Sequence, residues 1–113
     1  MNAVKPILGI IGGGQLGSML ASAAKKINIK TVVISDDEAA PAKNFCDKFI
    51  YAKYNNEHKI DEFVQASNIV TFEFDNIPYE TLKKISQKRP VFPDPSINKI
   101  IQNRYTEIGR AHV

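Results

Sequence analysis

The sequence contains no tryptophan, one cysteine and two histidines. With Cys46 alone, no disulfide can form within the chain, which fits a reducing compartment such as the cytoplasm. Because Cys46 follows Phe45 in a mixed segment, we interpret it as a small core residue rather than a nucleophile. His58 and His112 lie far apart, without neighbouring cysteines or spaced carboxylates, so we expect no metal site from these side chains.

Long apolar stretches and dense charge runs are also missing. The apolar run Ile7 to Ile11 ends in glycines and is much shorter than a signal peptide or a spanning helix. The net charge of +3 is modest, and the basic residues occur as scattered pairs. We therefore expect a cytoplasmic protein that binds neither a membrane nor a nucleic acid.

What the sequence does contain is an alternation of strand and helix patterns over 113 residues, enough for one small domain. Nearly continuous apolar segments are typical of parallel strands buried on both faces. The fold class predicted is α/β, a Rossmann-like parallel sheet flanked by helices. The predicted strands are 7–11, 31–34, 49–51, 69–74 and a short last one at 91–92.

Helical spacing fills the connections between these strands. The first helix carries one apolar stripe and should stop near Asn28, while Ser96 is expected to cap a final helix. The stripe consists of Leu16, Met19, Leu20, Ala23 and Ile27. The other helical segments are a turn over 41–44, a helix with Ile60, Phe63 and Val64 on its apolar face, and a helix over about 78–87.

A G-x-G-x-x-G pattern of Gly12, Gly14 and Gly17, with Gly13 inside it, lies between the first strand and the first helix. Glycine permits the tight turn and a close approach of backbone to ligand, and the free N–H groups at the helix start favour an anion. The pattern predicts a phosphate- or nucleotide-linked ligand site at this turn. The alternative is a glycine turn that only packs.

Two carboxylates are placed to join such a site, because ligands bind beyond the carboxyl ends of parallel strands. Asp36 ends the second strand and could accept hydrogen bonds from a ribose, although Asp37 and Glu38 beside it fit a solvated acidic loop equally well. Glu73 stands in an otherwise apolar strand, where a buried carboxylate needs a partner. Strand alternation leaves open that Glu73 lies on an exposed face.

Several segments together resemble a known family. They are the glycine pattern within 10–20, the Glu-Phe-Asp-Asn-Ile-Pro run at 73–78, Pro41-Ala42, Pro93-Asp94-Pro95-Ser96 and Gln102-Asn103-Arg104. Over residues 5–107 they resemble the N-terminal pre-ATP-grasp domain of the N5-carboxyaminoimidazole ribonucleotide synthetases. The glycine pattern is shared with many families, whereas its combination with the 73–78 run is specific.

The resemblance implies an ATP-grasp ligase of purine biosynthesis. In that family, ATP with Mg²⁺ phosphorylates bicarbonate, and the CO₂ released from carboxyphosphate is captured by the amine of 5-aminoimidazole ribonucleotide. By position, Gln15, Leu16 and Glu73 would contact the ribonucleotide, and Arg104 would lie near the ATP phosphates. The resemblance carries no catalytic residue or metal ligand over to this chain, and it suggests a homodimer for the complete enzyme.

The sequence also departs from the family. Asp75 stands where the family more often has Glu, and residues 107–113 do not resemble the family's continuation after Arg104. We expect a Rossmann-like domain at 1–95 and a helix at 96–113 that would lead into an ATP-grasp domain absent from this sequence. Such a fragment should lack ligase activity by itself and bind neither ATP nor Mg²⁺ tightly.

Three other functions are compatible with parts of the pattern. The glycines and Asp36 would suit an NAD(P)-binding domain of an oxidoreductase, but that function gives Glu73 no role. The chain could also be a regulatory or interaction module that has kept the fold but lost catalysis. The formate-dependent glycinamide ribonucleotide transformylases are similar too, but they usually have Glu at the position of Gln15.

Overall fold

The computed structural model describes residues 5–73, 77–97 and 100. Within this part of the chain, strands and helices alternate as the sequence predicts. No helix among the described residues is long and apolar enough to cross a membrane. The elements are β1 (Leu8–Ile11), α1 (Gln15–Lys26), β2 (Thr31–Ser35), a 3₁₀ turn (Pro41–Asn44), β3 (Lys48–Tyr51), α2 (Glu57–Ala66), β4 (Ile69–Phe72) and α3 (Tyr79–Ser86).

The four strands form one parallel sheet in the order β3-β2-β1-β4. The fold class is therefore confirmed. The predicted last strand is reduced to a single parallel bridge between Val91 and Val70. Phe74, which the sequence places at the end of the fourth strand, lies outside the described residues.

Apolar residues cover both faces of the sheet, as the continuous apolar strands predict. Val32 and Ile34 of β2 point into a core with α2 and α3, whereas Val33 between them packs on the opposite side with Ala21 of α1. Alternation along the strands thus supplies two cores. As predicted, Ile60, Phe63 and Val64 form the buried face of α2.

Gly9 in the middle of β1 lets α2 approach the sheet closely. A Cβ built on Gly9 would lie 2.7 Å from Cζ of Phe63 and 2.8 Å from Cβ of Ser67. Real Cβ atoms do not approach other heavy atoms this closely, so a side chain here would push α2 away from β1. This glycine is required by helix packing rather than by backbone conformation.

The packing face of α1 differs from the predicted stripe. Leu16, Met19 and Ile27 are 41%, 60% and 64% exposed. The helix instead buries Gly17, Ala21 and Ala24. Because these residues are small, α1 lies close to the sheet. Leu20 of the stripe packs partly buried against the core, whereas Leu16, Met19 and Ile27 face outward.

Two predicted helix boundaries have different outcomes. Asn28 adopts φ 61° and, with Ile29, donates backbone hydrogen bonds to Lys25 and Ala24, which closes α1 in a Schellman motif as expected. The prediction that Ser96 caps the final helix is wrong. Asp94 holds that position, because its carboxylate accepts the Ser96 N–H at 2.9 Å, and this hydrogen bond lowers the pKa of Asp94.

Candidate functional site

The strand order reverses between β1 and β4. The chain runs from β1 outward through β2 to β3 and then returns to the other side of β1 for β4. Such a reversal is the topological switch point at which open α/β sheets bind ligands. Gly12 follows β1 and Glu73 follows β4, so the two strongest sequence signals meet at this point.

The Glu73 carboxylate lies over the glycine turn. Its backbone N–H donates to the carbonyl of Ile11 at 3.0 Å, which continues the parallel ladder beyond β4. Its Oε1 accepts the backbone N–H of Gly17 at 2.5 Å. The alternative in which Glu73 lies on an exposed strand face is therefore wrong: the side chain is half-buried and hydrogen-bonded to the start of α1.

This contact caps α1 from another strand. The N-cap residue is Gly14, which has no side chain, and the first turn of α1 contains no acidic residue. Glu73 supplies the missing acceptor to Gly17, the third residue of the helix, and places a negative charge at the positive end of the helix dipole. The anion at this helix start is therefore a group of the protein itself.

The glycines are needed to accommodate the carboxylate. A Cβ on Gly12, which has φ +103°, would lie 2.9 Å from Oε2 of Glu73. On Gly17 it would meet Oε1 at 2.9 Å and collide with the Gly12 carbonyl oxygen. On Gly14 it would lie 3.2 Å from Oε2. The G-x-G-x-x-G pattern thus forms a cradle for Glu73 as well as a turn.

Gly13 fits against the neighbouring loop instead of against Glu73. A Cβ on Gly13 would lie 2.7 Å from Cβ of Ala40 and 3.2 Å from Oγ of Ser35. Its carbonyl accepts the Ala42 N–H at 2.9 Å, and the Gly12 N–H donates to Ile34 at 2.8 Å. The turn is therefore fixed by β2 on one side and Glu73 on the other.

Gln15 and Leu16 lie between Gly14 and Gly17, two of the three glycines that border Glu73. They are the first two residues of α1, and both side chains are exposed. The structure therefore brings these two residues and Glu73 together at one rim, as the resemblance implies. Their contact with a ribonucleotide stays a prediction.

Asp36 follows β2 at the same edge of the sheet, and its side chain is exposed. The neighbouring Ser35 is buried, and its Oγ accepts the Asp37 N–H at 3.1 Å. Asp37 in turn accepts the Ala39 N–H through its carboxylate at 2.9 Å. The acidic loop is thus organised by its own hydrogen bonds next to the glycine turn.

Tyr54 is a residue of this region that the sequence analysis missed. Burial raises the pKa of its hydroxyl to about 12, and the negative charges of Asp36 and Glu73 add to this effect. Hydrogen bonding with the Asp36 backbone and the Ser35 side chain opposes this shift. The sequence signal that could have identified Tyr54 is its position three residues after β3, at the carboxyl edge of the sheet.

Other predictions lie outside the described residues or away from the site. Arg104, Asp75 and most of the predicted 96–113 helix are not described, so the domain boundary at residue 95 stays a prediction. Cys46 packs partly buried beside the α1-side core, and burial raises the pKa of its thiol. This environment disfavours the reactive thiolate and agrees with a packing role.

A groove of about 610 Å³ lies between α2 and α3, and Tyr54 is among the residues that line it. Lys84 pairs with Glu57 at 2.9 Å and Lys88 with Asp61 at 3.3 Å across it. Neither Glu73 nor any residue of the glycine turn lines this groove. We assign the site to the glycine turn.

Comparisons with known proteins agree with the resemblance. The chain is 37% identical over 100 residues to the N5-carboxyaminoimidazole ribonucleotide synthase of Brucella melitensis, covering 88% of this chain and 28% of the relative. The enzyme of Staphylococcus epidermidis is 38% identical over 100 residues, with 88% and 27% covered. A solved structure of the Staphylococcus aureus N5-carboxyaminoimidazole synthetase with ADP has a TM-score of 0.83 and 36% identity, covering 95% of this chain and 29% of that one.

The chain therefore spans less than a third of the length of these relatives. The family described as the ribonucleotide synthetase preATP-grasp domain matches residues 5–102. That match includes both the glycine turn and Glu73. By this match, the chain belongs to the ribonucleotide synthetase preATP-grasp domain family.

Proposed function

We propose that this chain is the N-terminal, ribonucleotide-binding part of an ATP-dependent ligase that carboxylates 5-aminoimidazole ribonucleotide with bicarbonate in purine biosynthesis. The observation that carries the proposal is the Glu73 carboxylate, held over the glycine turn beside Gln15 and Leu16. An apolar strand has no packing reason to end in a half-buried carboxylate. The relatives' names supply the product, N5-carboxyaminoimidazole ribonucleotide.

The geometry favours the sugar or the amine of the ribonucleotide at the turn over its phosphate. The Gly17 N–H already holds Oε1 of Glu73, and a second anion beside this carboxylate would be repelled. Hydroxyl and amine groups, in contrast, donate hydrogen bonds to a carboxylate. In this proposal Glu73 orients the substrate, while the exposed Gln15 and Leu16 contact it from the first turn of α1.

ATP and Mg²⁺ belong to the proposal for the complete enzyme. Among the described residues, no group of three or more His, Cys, Asp or Glu side chains could hold a metal ion. The described residues thus do not fit a magnesium site, and we derive no step through one. Arg104 is proposed to approach the ATP phosphates, and we expect the isolated chain to bind neither ATP nor Mg²⁺ tightly.

A cytoplasmic homodimer is proposed for the complete enzyme. The single, partly buried Cys46 suits a reducing compartment. An NAD(P)-binding domain is the second candidate, because of the glycines and Asp36. It is disfavoured by Glu73, whose carboxylate lies at the helix start where a dinucleotide pyrophosphate would bind.

The proposal is tested by titrating the ¹⁵N-labelled chain with 5-aminoimidazole ribonucleotide and, separately, with NAD and NADP. We expect saturable shifts at Gln15, Leu16 and Gly17 with the ribonucleotide and none with the dinucleotides. Glu73→Gln should weaken ribonucleotide binding about tenfold, the typical effect of losing a charge-assisted hydrogen bond. Glu38→Gln, in the nearby acidic loop, is the matched control and should bind normally.

Saturable NAD or NADP binding without ribonucleotide binding would favour the oxidoreductase alternative instead. The isolated chain should also form no product in an ATP-dependent carboxylation assay. Product formation by the 113-residue chain would contradict its assignment as a fragment of the ligase.

A further inference from the structure

The loop 36–40, which follows β2, packs against the glycine turn. A Cβ built on Gly13 would lie 2.7 Å from Cβ of Ala40, which is buried at this contact. Directly after the loop, the Ala42 N–H donates to the Gly13 carbonyl at 2.9 Å. The chain after β2 therefore meets Gly13 through one tight packing contact and one backbone hydrogen bond.

Glu73 borders the same turn from the opposite side. Gly12 and Gly14 flank Gly13, and a Cβ on either would lie within 3.2 Å of Oε2 of Glu73. The turn is thus enclosed between Ala40 and the Glu73 carboxylate. Because close-packed groups transmit displacements to their neighbours, a shift of Ala40 would move Gly13 relative to Glu73.

Asp37 fixes the path of the loop through three hydrogen bonds. Its carboxylate Oδ1 accepts the Ala39 N–H at 2.9 Å, in the pattern of an Asx turn. Its carbonyl accepts the Ala40 N–H at 3.1 Å, and its own N–H donates to Oγ of the buried Ser35 at 3.1 Å. Asp37 itself is exposed, so its contribution is to the loop and not to the core.

We propose that Asp37 is a positioning residue of the ribonucleotide site: it holds Ala40 against Gly13 and thereby keeps the glycine turn in its ligand-binding conformation. The inference rests on the proposed function and deepens it. Asp37 acts through the loop without touching the ligand. The role therefore requires the Oδ1 acceptor and not the negative charge, and the amide oxygen of asparagine is an equivalent acceptor.

The experiment titrates the ¹⁵N-labelled parent chain and its Asp37→Ala and Asp37→Asn variants with 5-aminoimidazole ribonucleotide. Asp37→Ala should weaken binding about three- to tenfold, because loss of one hydrogen bond lowers the population of the binding-competent turn. Asp37→Asn keeps an acceptor for the Ala39 N–H and should bind like the parent. Glu38→Ala, at the neighbouring exposed carboxylate, is the matched control and should also bind like the parent.

The amide spectrum without ligand gives a second readout. In Asp37→Ala, the Gly13 and Ala42 signals should shift, because the hydrogen bond between these residues depends on the path of the loop. In Asp37→Asn, both signals should stay close to their parent positions. Unchanged Gly13 and Ala42 signals in Asp37→Ala would overturn the positioning role, and so would shifts throughout the spectrum, which would indicate a general effect on the fold.

This inference and the proposed function fail in different ways. Equal ribonucleotide affinity of Asp37→Ala and the parent chain would overturn the role of Asp37 and leave the proposed function intact. Equal weakening in Asp37→Ala and Asp37→Asn would overturn it as well, because the charge and not the loop geometry would then matter. Absence of saturable ribonucleotide binding to the parent chain would overturn the proposed substrate site itself, and with it this role of Asp37.

Discussion

Gly17 donates its backbone N–H to Oε1 of Glu73, a residue 56 positions further along the chain. The contact joins the start of α1 to the end of β4, the two elements that border the switch point of the sheet. It satisfies a helix N–H that has no side-chain cap of its own. One carboxylate thus stabilises the fold and is also available at the candidate site.

Gly17→Ala should destabilise the protein despite the higher helix propensity of alanine. The added Cβ would collide with the Gly12 carbonyl oxygen and lie 2.9 Å from Oε1 of Glu73. We expect a loss of about 1–3 kcal/mol in the free energy of unfolding, measured by urea denaturation. At an uncrowded helix position the same change would stabilise by about 0.5–1 kcal/mol, so a gain in stability would contradict the close packing described.

Removing the Glu73 carboxylate should weaken the anchoring of α1. Glu73→Ala leaves the Gly17 N–H without its acceptor and should lower the free energy of unfolding by about 0.5–2 kcal/mol, the usual cost of a lost helix cap. Glu73→Gln keeps an oxygen acceptor and loses only the charge at the helix start, so a smaller loss of about 0.3–1 kcal/mol is expected. Thermal and urea unfolding of both variants, with Glu38→Ala as an exposed control, measures the difference. Equal stability of Glu73→Ala and the parent would show that the contact contributes nothing.

Tyr54 should make the protein less stable in strongly alkaline solution. Its pKa is about 12 in the folded chain, against an ordinary value of 10.0 for tyrosine, so the unfolded chain loses this proton first as the pH rises. Ionisation of Tyr54 should therefore leave the free energy of unfolding unchanged below the pKa of the unfolded chain. Between that pKa and the higher pKa of the folded chain, the free energy of unfolding should fall. Tyr54→Phe should reduce this fall and remove a late phase from the tyrosinate absorbance titration. Tyr51→Phe should retain the late phase. Loss of the late phase in Tyr51→Phe would show that Tyr51, and not Tyr54, titrates in it.

Thr31→Val should stabilise the sheet. The Thr31 side chain is buried, and among the described residues its Oγ1 has no hydrogen-bond partner. Valine keeps the shape and removes the unsatisfied hydroxyl, so we expect a gain of about 1 kcal/mol in the free energy of unfolding. Thr31→Ser, which keeps the hydroxyl and loses the methyl group, should be less stable than the parent. A loss of stability in Thr31→Val would indicate that the hydroxyl has a partner.

Local chemistry in the sequence determined the order of elements. β-branched and apolar runs such as Thr31–Ile34 favour buried strands, and Asn28 stops α1 because it tolerates a left-handed backbone. The Pro41–Asn44 turn and the apolar face of α2 were predictable for the same reason. Each of these features depends on neighbours within a few residues along the chain.

Tertiary structure decided the features that depend on distant neighbours. The apolar stripe of α1 predicted the wrong packing face, because Gly17, Ala21 and Ala24 allow a closer approach to the sheet than Leu16 or Met19 would. Spacing could not distinguish whether Glu73 was exposed or joined to the glycine turn, since that contact exists only once β4 pairs with β1. Tyr54 came close enough to Asp36 and Glu73 to be affected by their charges for the same reason, after β3 paired with β2. Contacts between residues far apart in sequence arise from strand order, which periodicity along the chain does not encode.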